Sequence, residues 1–185
     1  MQVSEVIHSE LSPSEQVLWS GQPKQGLVFR NSDVFAIPFS LLWAGFAVFW
    51  LFSAMRSKAP PEFVLFGVPF VLVGIYIVVG RFFVESRQRA NTFYAVTPQR
   101  VIIASGLFEK KVKSLNLKTI SDLSLSQSSD GSGTITFGAQ HPFAAMFGGM
   151  STWPGAEQYL GPRFDLVPQA REVYETLRKA QASAT

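Results

Sequence analysis

A cluster of four lysines is the first group of side chains whose type and spacing could support a function; these are Lys110, Lys111, Lys113 and Lys118. On a β-strand Lys111 and Lys113 lie on one face, because side chains alternate between the two faces of a sheet. Such ammonium groups attract anionic groups, including the headgroups of acidic lipids. The alternative is a solvated strand edge whose charges discourage pairing with another strand. The four lysines are therefore candidate lipid-facing residues.

A long apolar segment is the second candidate. Residues 139–162 carry one charged side chain, Glu157, in 24 residues. The large side chains of this candidate interaction loop are Phe143, Met146, Phe147, Met150, Trp153 and Tyr159. Exposed, they would form a large apolar patch, so something must cover them. Three alternatives remain: the loop packs on its own domain, enters the bilayer interface, or binds a partner or a second copy.

Groups with catalytic potential are few. The chain contains no cysteine, and its two histidines, His8 and His141, are far apart in sequence. His141 has no second histidine at the spacing of metal ligands. The glycines at 131–133 and 148–149 do not follow a strand and open a helix, as a phosphate-binding loop requires. The sequence therefore predicts a protein that is not an enzyme and has no cofactor or metal.

Two uncharged runs must position these groups. Residues 34–55 contain 22 uncharged positions and residues 63–80 contain 18. A helix rises about 1.5 Å per residue and a hydrocarbon core is roughly 30 Å thick, so each run can cross a membrane. The loop at 56–62 is short. The sequence predicts a two-helix transmembrane hairpin over residues 34–84.

Flanking cations predict the orientation of this hairpin. On the side of the chain termini lie Lys24, Arg30, Arg81, Arg87 and Arg89, whereas the loop contains only Arg56 and Lys58. Loops rich in lysine and arginine stay in the cytoplasm. We expect a protein of the cytoplasmic membrane with both termini inside and the loop at 56–62 outside. Neither span contains a charged residue, which argues against transport by one copy.

Small residues mark one face of each span. Ala36, Ser40 and Ala44 recur every four residues, and Gly67 and Gly74 are seven apart. Such stripes let helix backbones approach closely. They are candidate packing residues, either between the two helices of the hairpin or between two copies of the chain.

The segment at 1–33 is too short for a domain of its own. Ser12, Pro13 and Glu15 have the pattern of a helix start, in which serine caps and glutamate reaches back. Trp19 follows, and it packs on the later domain or lies at the lipid headgroups. We expect a short helix in a cytoplasmic segment.

In the domain at 90–181 the spacing of the apolar residues differs from that in the two uncharged runs. Runs rich in β-forming residues predict strands at 92–97 and 100–105, and alternating residues predict strands at 111–120, 122–126 and 134–137, joined by short turns. From Pro168 onward, Ala170, Val173, Tyr174 and Leu177 recur at helical spacing. The prediction is an α+β domain in which antiparallel strands are closed by an amphipathic helix.

Several stretches carry a resemblance. They are Phe93-Tyr-Ala-Val-Thr-Pro-Gln-Arg-Val-Ile-Ile103, Gly133-Thr-Ile-Thr-Phe-Gly138, Phe164-Asp-Leu-Val167 and, ahead of the first span, Trp19-Ser-Gly-Gln-Pro23. With two spans, the chain resembles bacterial membrane proteins that carry a pleckstrin-homology-like domain. The resemblance implies a strongly bent sheet of about seven strands capped by a carboxy-terminal helix. The sequence pattern itself yields five or six strands, with 164–167 as the last.

The expected function is non-enzymatic. The hairpin would hold the PH-like domain at the cytoplasmic membrane face, where it binds a membrane protein or a second copy and contacts anionic lipid. The alternative is an accessory subunit of a larger membrane enzyme or transporter. A net charge of +3 is too small to indicate nucleic acid as a partner.

Overall fold

The computed structural model describes residues 5–30, 33–106, 110–138 and 160–184. The chain forms two compact units. One combines Met1–Gly26 with Ser86–Thr185, and the other is Leu27–Glu85. The second unit is therefore an insertion in the sequence of the first. The boundary differs from the predicted one, because residues 5–26 belong to the α+β domain and do not form a segment apart.

The α+β domain contains two antiparallel sheets. The four-stranded sheet has the order β1-β2-β3-β4 and the three-stranded sheet the order β5-β6-β7. The strands of the first sheet are β1 (Trp19–Gly21), β2 (Phe93–Val96), β3 (Arg100–Ser105) and β4 (Lys111–Asn116). Those of the second are β5 (Leu123–Gln127), β6 (Gly133–Phe137) and β7 (Arg163–Val167). The predicted strands are present, and the seventh strand is β1.

The segment from β1 to Lys24 is hydrogen-bonded to both sheets. Trp19 pairs with Val96 and Gly21 with Tyr94 of β2. Three residues further on, the amide of Lys24 donates to the carbonyl of Leu166 in β7 at 2.8 Å. The short segment that precedes the inserted unit is thus bonded to the edge of each sheet, and it closes one side of the domain.

The main core lies between the two sheets and the last helix of the chain, α5 (Ala170–Ala184). Its apolar face buries Val173 and Leu177 against the sheets, as the helical spacing predicts. Phe164 is fully buried at the centre, with its ring 4.4 Å from that of Tyr94 and 5.8 Å from that of Trp19. Trp19 is therefore a packing residue, because its ring covers the end of this aromatic cluster.

A smaller core lies on the opposite face of β2 and β3. Helix α1 (Glu5–His8) places Ile7, only 1% exposed, against Ala95, Ile102 and Ala104. The predicted helix start at Ser12 is wrong, since residues 12–15 form a turn in which the Glu15 amide donates to the Ser12 carbonyl. Glu15 does reach back to the Ser12 amide at 3.1 Å, and it also accepts hydrogen bonds from Arg100 on β3.

The inserted unit is helical. Helix α2 spans Asp33–Arg56, and α3 spans Pro61–Ile75 and continues through a π-helical turn, Tyr76–Gly80, into α4, Arg81–Ala90. Two helices, Asp33–Arg56 and Pro61–Ala90, are long and apolar enough to cross a membrane. The second continues to Ala90, six residues beyond the predicted end of the hairpin at 84, because the charged residues that follow are themselves good helix formers.

Candidate interaction surface

Strand β4 has an open edge in the part of the chain that the structure describes. It is the last strand of its sheet, with Lys113 opposite Ile103 and Lys111 opposite Ser105. Just beyond the strand, the Leu117 amide donates to the Gln99 carbonyl at 2.9 Å. Hydrogen-bonded and non-bonded pairs alternate along an antiparallel ladder, so Lys111 and Lys113 bond to β3. The backbone groups of Val112 and Ser114 therefore point to the open edge.

The two faces of β4 differ in chemistry. Lys111 and Lys113 share a face with Leu115, which packs at the margin of the main core. Val112 and Ser114 occupy the other face, and Val112 is 37% exposed. Both lysines are exposed and form no ion pair with a described residue. This open strand, β4 with Lys111, Val112, Lys113 and Ser114, is called the basic edge below.

The other two candidate lysines have different surroundings. The ammonium group of Lys110 contacts the Glu10 carboxylate at 2.8 Å and donates to the Ser9 hydroxyl at 3.1 Å. Lys118 lies in a 3₁₀ turn, Leu117–Thr119, and is exposed. The predicted strand over 111–120 is too long, because the Asn116 side chain accepts from the Lys118 amide and caps this turn. The structure thus brings Lys111 and Lys113 together on one strand face, whereas Lys110 is engaged by the amino-terminal segment.

An ion pair holds the amino-terminal segment against β3. Arg100 donates from Nε and Nη2 to the two carboxylate oxygens of Glu15, at 2.8 and 2.6 Å. The Thr97 hydroxyl also donates to Glu15 at 2.8 Å, and the Glu15 side chain is only 3% exposed. The hydrogen bond from Arg100 lowers the pKa of Glu15 to about 2. Glu15 in turn raises the pKa of Arg100. We call this group the Glu15–Arg100 pair.

A second ion pair lies at the turn between β5 and β6. The Lys24 ammonium contacts the Asp130 carboxylate at 2.7 Å and, with bonds from Ser132, holds the pKa of that carboxyl well below its usual range. Both side chains are nearly half exposed, so water screens the pair and it contributes little stability. Its effect is to keep the chain after β1 close to the second sheet.

The sequence did not single out these partners. Glu10 and Glu15 were assigned at most a local capping role, and Arg100 none. One available signal is the charge distribution, since the acidic residues Glu5, Glu10 and Glu15 precede a domain with excess basic residues. The candidate interaction loop at Phe143, Met146, Phe147, Met150, Trp153 and Tyr159, together with His141, lies outside the described residues.

The sequence profile of the bacterial PH domain matches residues 39–181, which is more than half of the chain. The chain belongs to the bacterial PH domain family. The antiparallel sheets of four and three strands and the carboxy-terminal helix α5 agree with a PH-like fold. No curated protein and no solved structure matches the chain.

The family match begins inside α2, so β1 lies ahead of it. In this bacterial PH domain protein, however, β1 is hydrogen-bonded into the first sheet and the residues before it form the second core. The domain is therefore larger than the matched region at its amino-terminal side, and the helical unit interrupts it.

The two helices of the inserted unit pack through small residues. On α2 the buried side chains include Ser40, Ala47 and Ala54, seven residues apart, whereas the predicted Ala36 and Ala44 are half-buried beside them. On α3 the buried residues are Gly67 and Gly74. A seven-residue period is typical of two helices that cross at a shallow angle. The contact between the helices thus includes the predicted Gly67, Gly74, Ser40 and Ala44, and the fully buried positions on α2 recur every seven residues.

Replacing Gly74 should separate these helices. A methyl group on Gly74 would lie 3.1 Å from the Cα atom of Ala44, which is backbone and cannot move aside alone. We expect Gly74→Ala to destabilise the hairpin by about 1–3 kcal/mol. Gly45→Ala is the matched control, because a methyl group there meets nothing within 4 Å. The measurement is the unfolding midpoint of each variant in a dodecyl sulfate titration; equal midpoints would contradict the contact.

A buried ion pair joins the starts of α2 and α4. Arg81 donates to Asp33 at 2.8 Å, and the second oxygen of Asp33 accepts from the Arg30 amide at 2.7 Å. The two side chains are 11% and 7% exposed. Arg81, which the sequence assigns to the cations flanking the membrane, is therefore engaged within the hairpin, and its charge is neutralised there.

Proposed function

We propose that this chain is a membrane-anchored, non-enzymatic protein that presents its bacterial PH domain at the cytoplasmic membrane face. There the domain binds a membrane protein or a second copy, with anionic lipid as an additional contact. The observation that carries this proposal is the pairing of β1 with β2. Because β1 precedes the hairpin and β2 follows it, this pairing supports a membrane topology in which both ends of the hairpin are on the same side as the domain.

The hairpin has the properties of a tether. Its exposed side chains are mostly large and apolar, including Phe35, Phe39 and Leu42 on α2 and Leu65 and Phe66 on α3. Exposed apolar surface of this extent is stable in lipid and costly in water. The Asp33–Arg81 ion pair lies at the end of the hairpin from which the chain continues into the domain, and not along the spans.

A binding role is favoured over catalysis by the kind of groups that the domain exposes. An unpaired strand edge and uncompensated ammonium groups recognise peptide backbone or anions, and they supply no acid, base or nucleophile near neutral pH. The cations flanking the hairpin favour the cytoplasmic side for this domain.

Co-purification tests the proposal. The full chain, solubilised in detergent after cross-linking in membranes, should retain either itself or a membrane protein at fixed stoichiometry. A stoichiometric enzyme or transporter would establish the accessory-subunit alternative. A chain that remains monomeric and without partner at every cross-linker length would contradict the proposal. A reporter placed in the loop at 57–60 should give an extracytoplasmic signal.

The lipid contact has its own test. A chain in which a short linker joins Gly26 to Ser86 retains the whole α+β domain and lacks the hairpin. It should sediment with phosphatidylglycerol vesicles and not with phosphatidylcholine vesicles. Changing Lys111 and Lys113 to alanine should weaken this binding; unchanged binding would remove lipid from the proposal.

A further inference from the structure

We propose that the basic edge binds an extended segment of a partner protein in which acidic residues alternate with apolar or small ones, and that this segment adds a strand beside β4. The inference rests on the proposed function and names the class of partner. Two features of β4 carry it: the backbone groups of Val112 and Ser114 that point outward, and the exposed lysines at 111 and 113.

The backbone is the first argument. An edge strand offers a row of amide and carbonyl groups that an incoming strand can pair with, and peptide binding by strand addition uses such edges. Val112 and Ser114 supply two adjacent outward positions of this kind. An anionic lipid headgroup would bind the lysines and leave these backbone groups hydrogen-bonded to water, so it would engage only one of the two features of the basic edge.

The charges select the partner. On an added strand, residues opposite Lys111 and Lys113 lie on one face, at alternate positions, with cross-strand Cβ distances of about 4.5–5.5 Å. Carboxylates at these positions form ion pairs with both lysines. The residue between them lies on the face of Val112, which favours an apolar or small side chain. The recognised pattern is therefore acidic, apolar, acidic.

Two occupants from this chain fit poorly. A second copy that paired β4 with β4 would bring lysines of the two strands together on one face, and like charges placed opposite each other are destabilising. The apolar segment of the same chain, residues 139–162, carries a single carboxylate, Glu157, and cannot match both lysines. An acidic segment of a separate protein can pair with the open backbone groups of β4 and with both lysines.

The experiment uses the full chain in nanodiscs of phosphatidylcholine, so that no anionic lipid competes. The probe is a short fluorescent peptide in which glutamate alternates with valine and threonine. We expect saturable binding, together with slowed amide hydrogen exchange over 111–116. Val112→Pro removes an outward amide and leaves the pairs with β3 intact, and it should weaken binding by about tenfold or more. Val112→Ala keeps the amide and is the matched control.

The electrostatic contribution is tested with the double variant Lys111→Glu with Lys113→Glu, which should abolish binding of the acidic peptide. Arg178→Glu with Lys179→Glu makes the same change of net charge on the exposed face of α5 and should leave binding intact. The same peptide with N-methyl groups at alternate residues lacks the donors that a strand needs, so it should not bind.

Three outcomes would overturn the inference. No binding to the unmodified chain would mean that the lysines only discourage strand pairing. Binding that is sensitive to the lysines but not to Val112→Pro or N-methylation would be electrostatic, as for a lipid surface. A partner that cross-links to the domain away from 110–116 would leave the proposed function standing and exclude this edge as its site.

Discussion

A chain that begins at Gln88 should fail to fold. It lacks β1, the partner of β2, and the segment at 5–17 that covers the outer face of β2 and β3. Losing the burial of Ile7 and of the half-buried Trp19 ring removes roughly 1.5–3 kcal/mol for each side chain, against a total stability of about 5–15 kcal/mol for a typical domain. Adding the lost hydrogen bonds, we expect no cooperative thermal transition and strong binding of a hydrophobic dye.

The matched control retains residues 1–26 and removes only the hairpin. Arg89 Nη2 donates to the carbonyl oxygen of Gly26 at 2.7 Å, so the two residues are close. A short glycine-serine linker from Gly26 to Ser86 therefore suffices. This chain should unfold cooperatively, with the near-ultraviolet signal of packed aromatic rings. If the chain from Gln88 onward shows the same transition, then β1 is dispensable and the domain is not interrupted by the hairpin.

Strand β1 is the strand that the sequence pattern does not predict. Strands β2 to β7 are visible as short β-type runs, which are apolar and nearly continuous in β2 and β3 and alternate in β5 and β6. Strand β1 has three residues, Trp19–Gly21, which is too short for any period. Its structure depends on pairing with Val96 and Tyr94, on the far side of an inserted unit. The sequence element around Trp19 resembled that of related proteins, but only the register shows that it is a strand.

The candidate residues could also be predicted from the sequence only where local periodicity determines their positions. The common face of Lys111 and Lys113 follows from strand alternation alone, and the structure agrees. The separation of Lys110 from them does not, because Glu10, its partner, is a hundred residues away in sequence. The predicted stripe at Ala36, Ser40 and Ala44 followed one four-residue row of α2. The buried stripe at Ser40, Ala47 and Ala54 follows the seven-residue period of a packed helix pair.

The Glu15–Arg100 pair should contribute one of the largest single terms to the stability of the domain. Arg100→Ala would leave the nearly buried Glu15 carboxylate without its cation, which costs about 3 kcal/mol or more. Arg100→Lys keeps the charge but not the two parallel hydrogen bonds, and it should recover part of the loss. The double variant Glu15→Gln with Arg100→Ala should be more stable than Arg100→Ala alone. Equal free energies of unfolding for the single and double variants would show that no such coupling exists.

The same pair predicts a pH dependence of defined sign. The pKa of Glu15 falls from an ordinary value of 4.5 to about 2 in the folded state, so the unfolded chain binds the proton more tightly. The stabilisation is therefore complete above pH 4.5 and is lost as the pH falls towards 2, with an upper limit of about 3 kcal/mol. In chains without the hairpin, the unfolding midpoint of Glu15→Gln should fall less over this range than that of the unmodified chain. Parallel curves would mean that the carboxyls responsible for acid unfolding lie elsewhere in the domain.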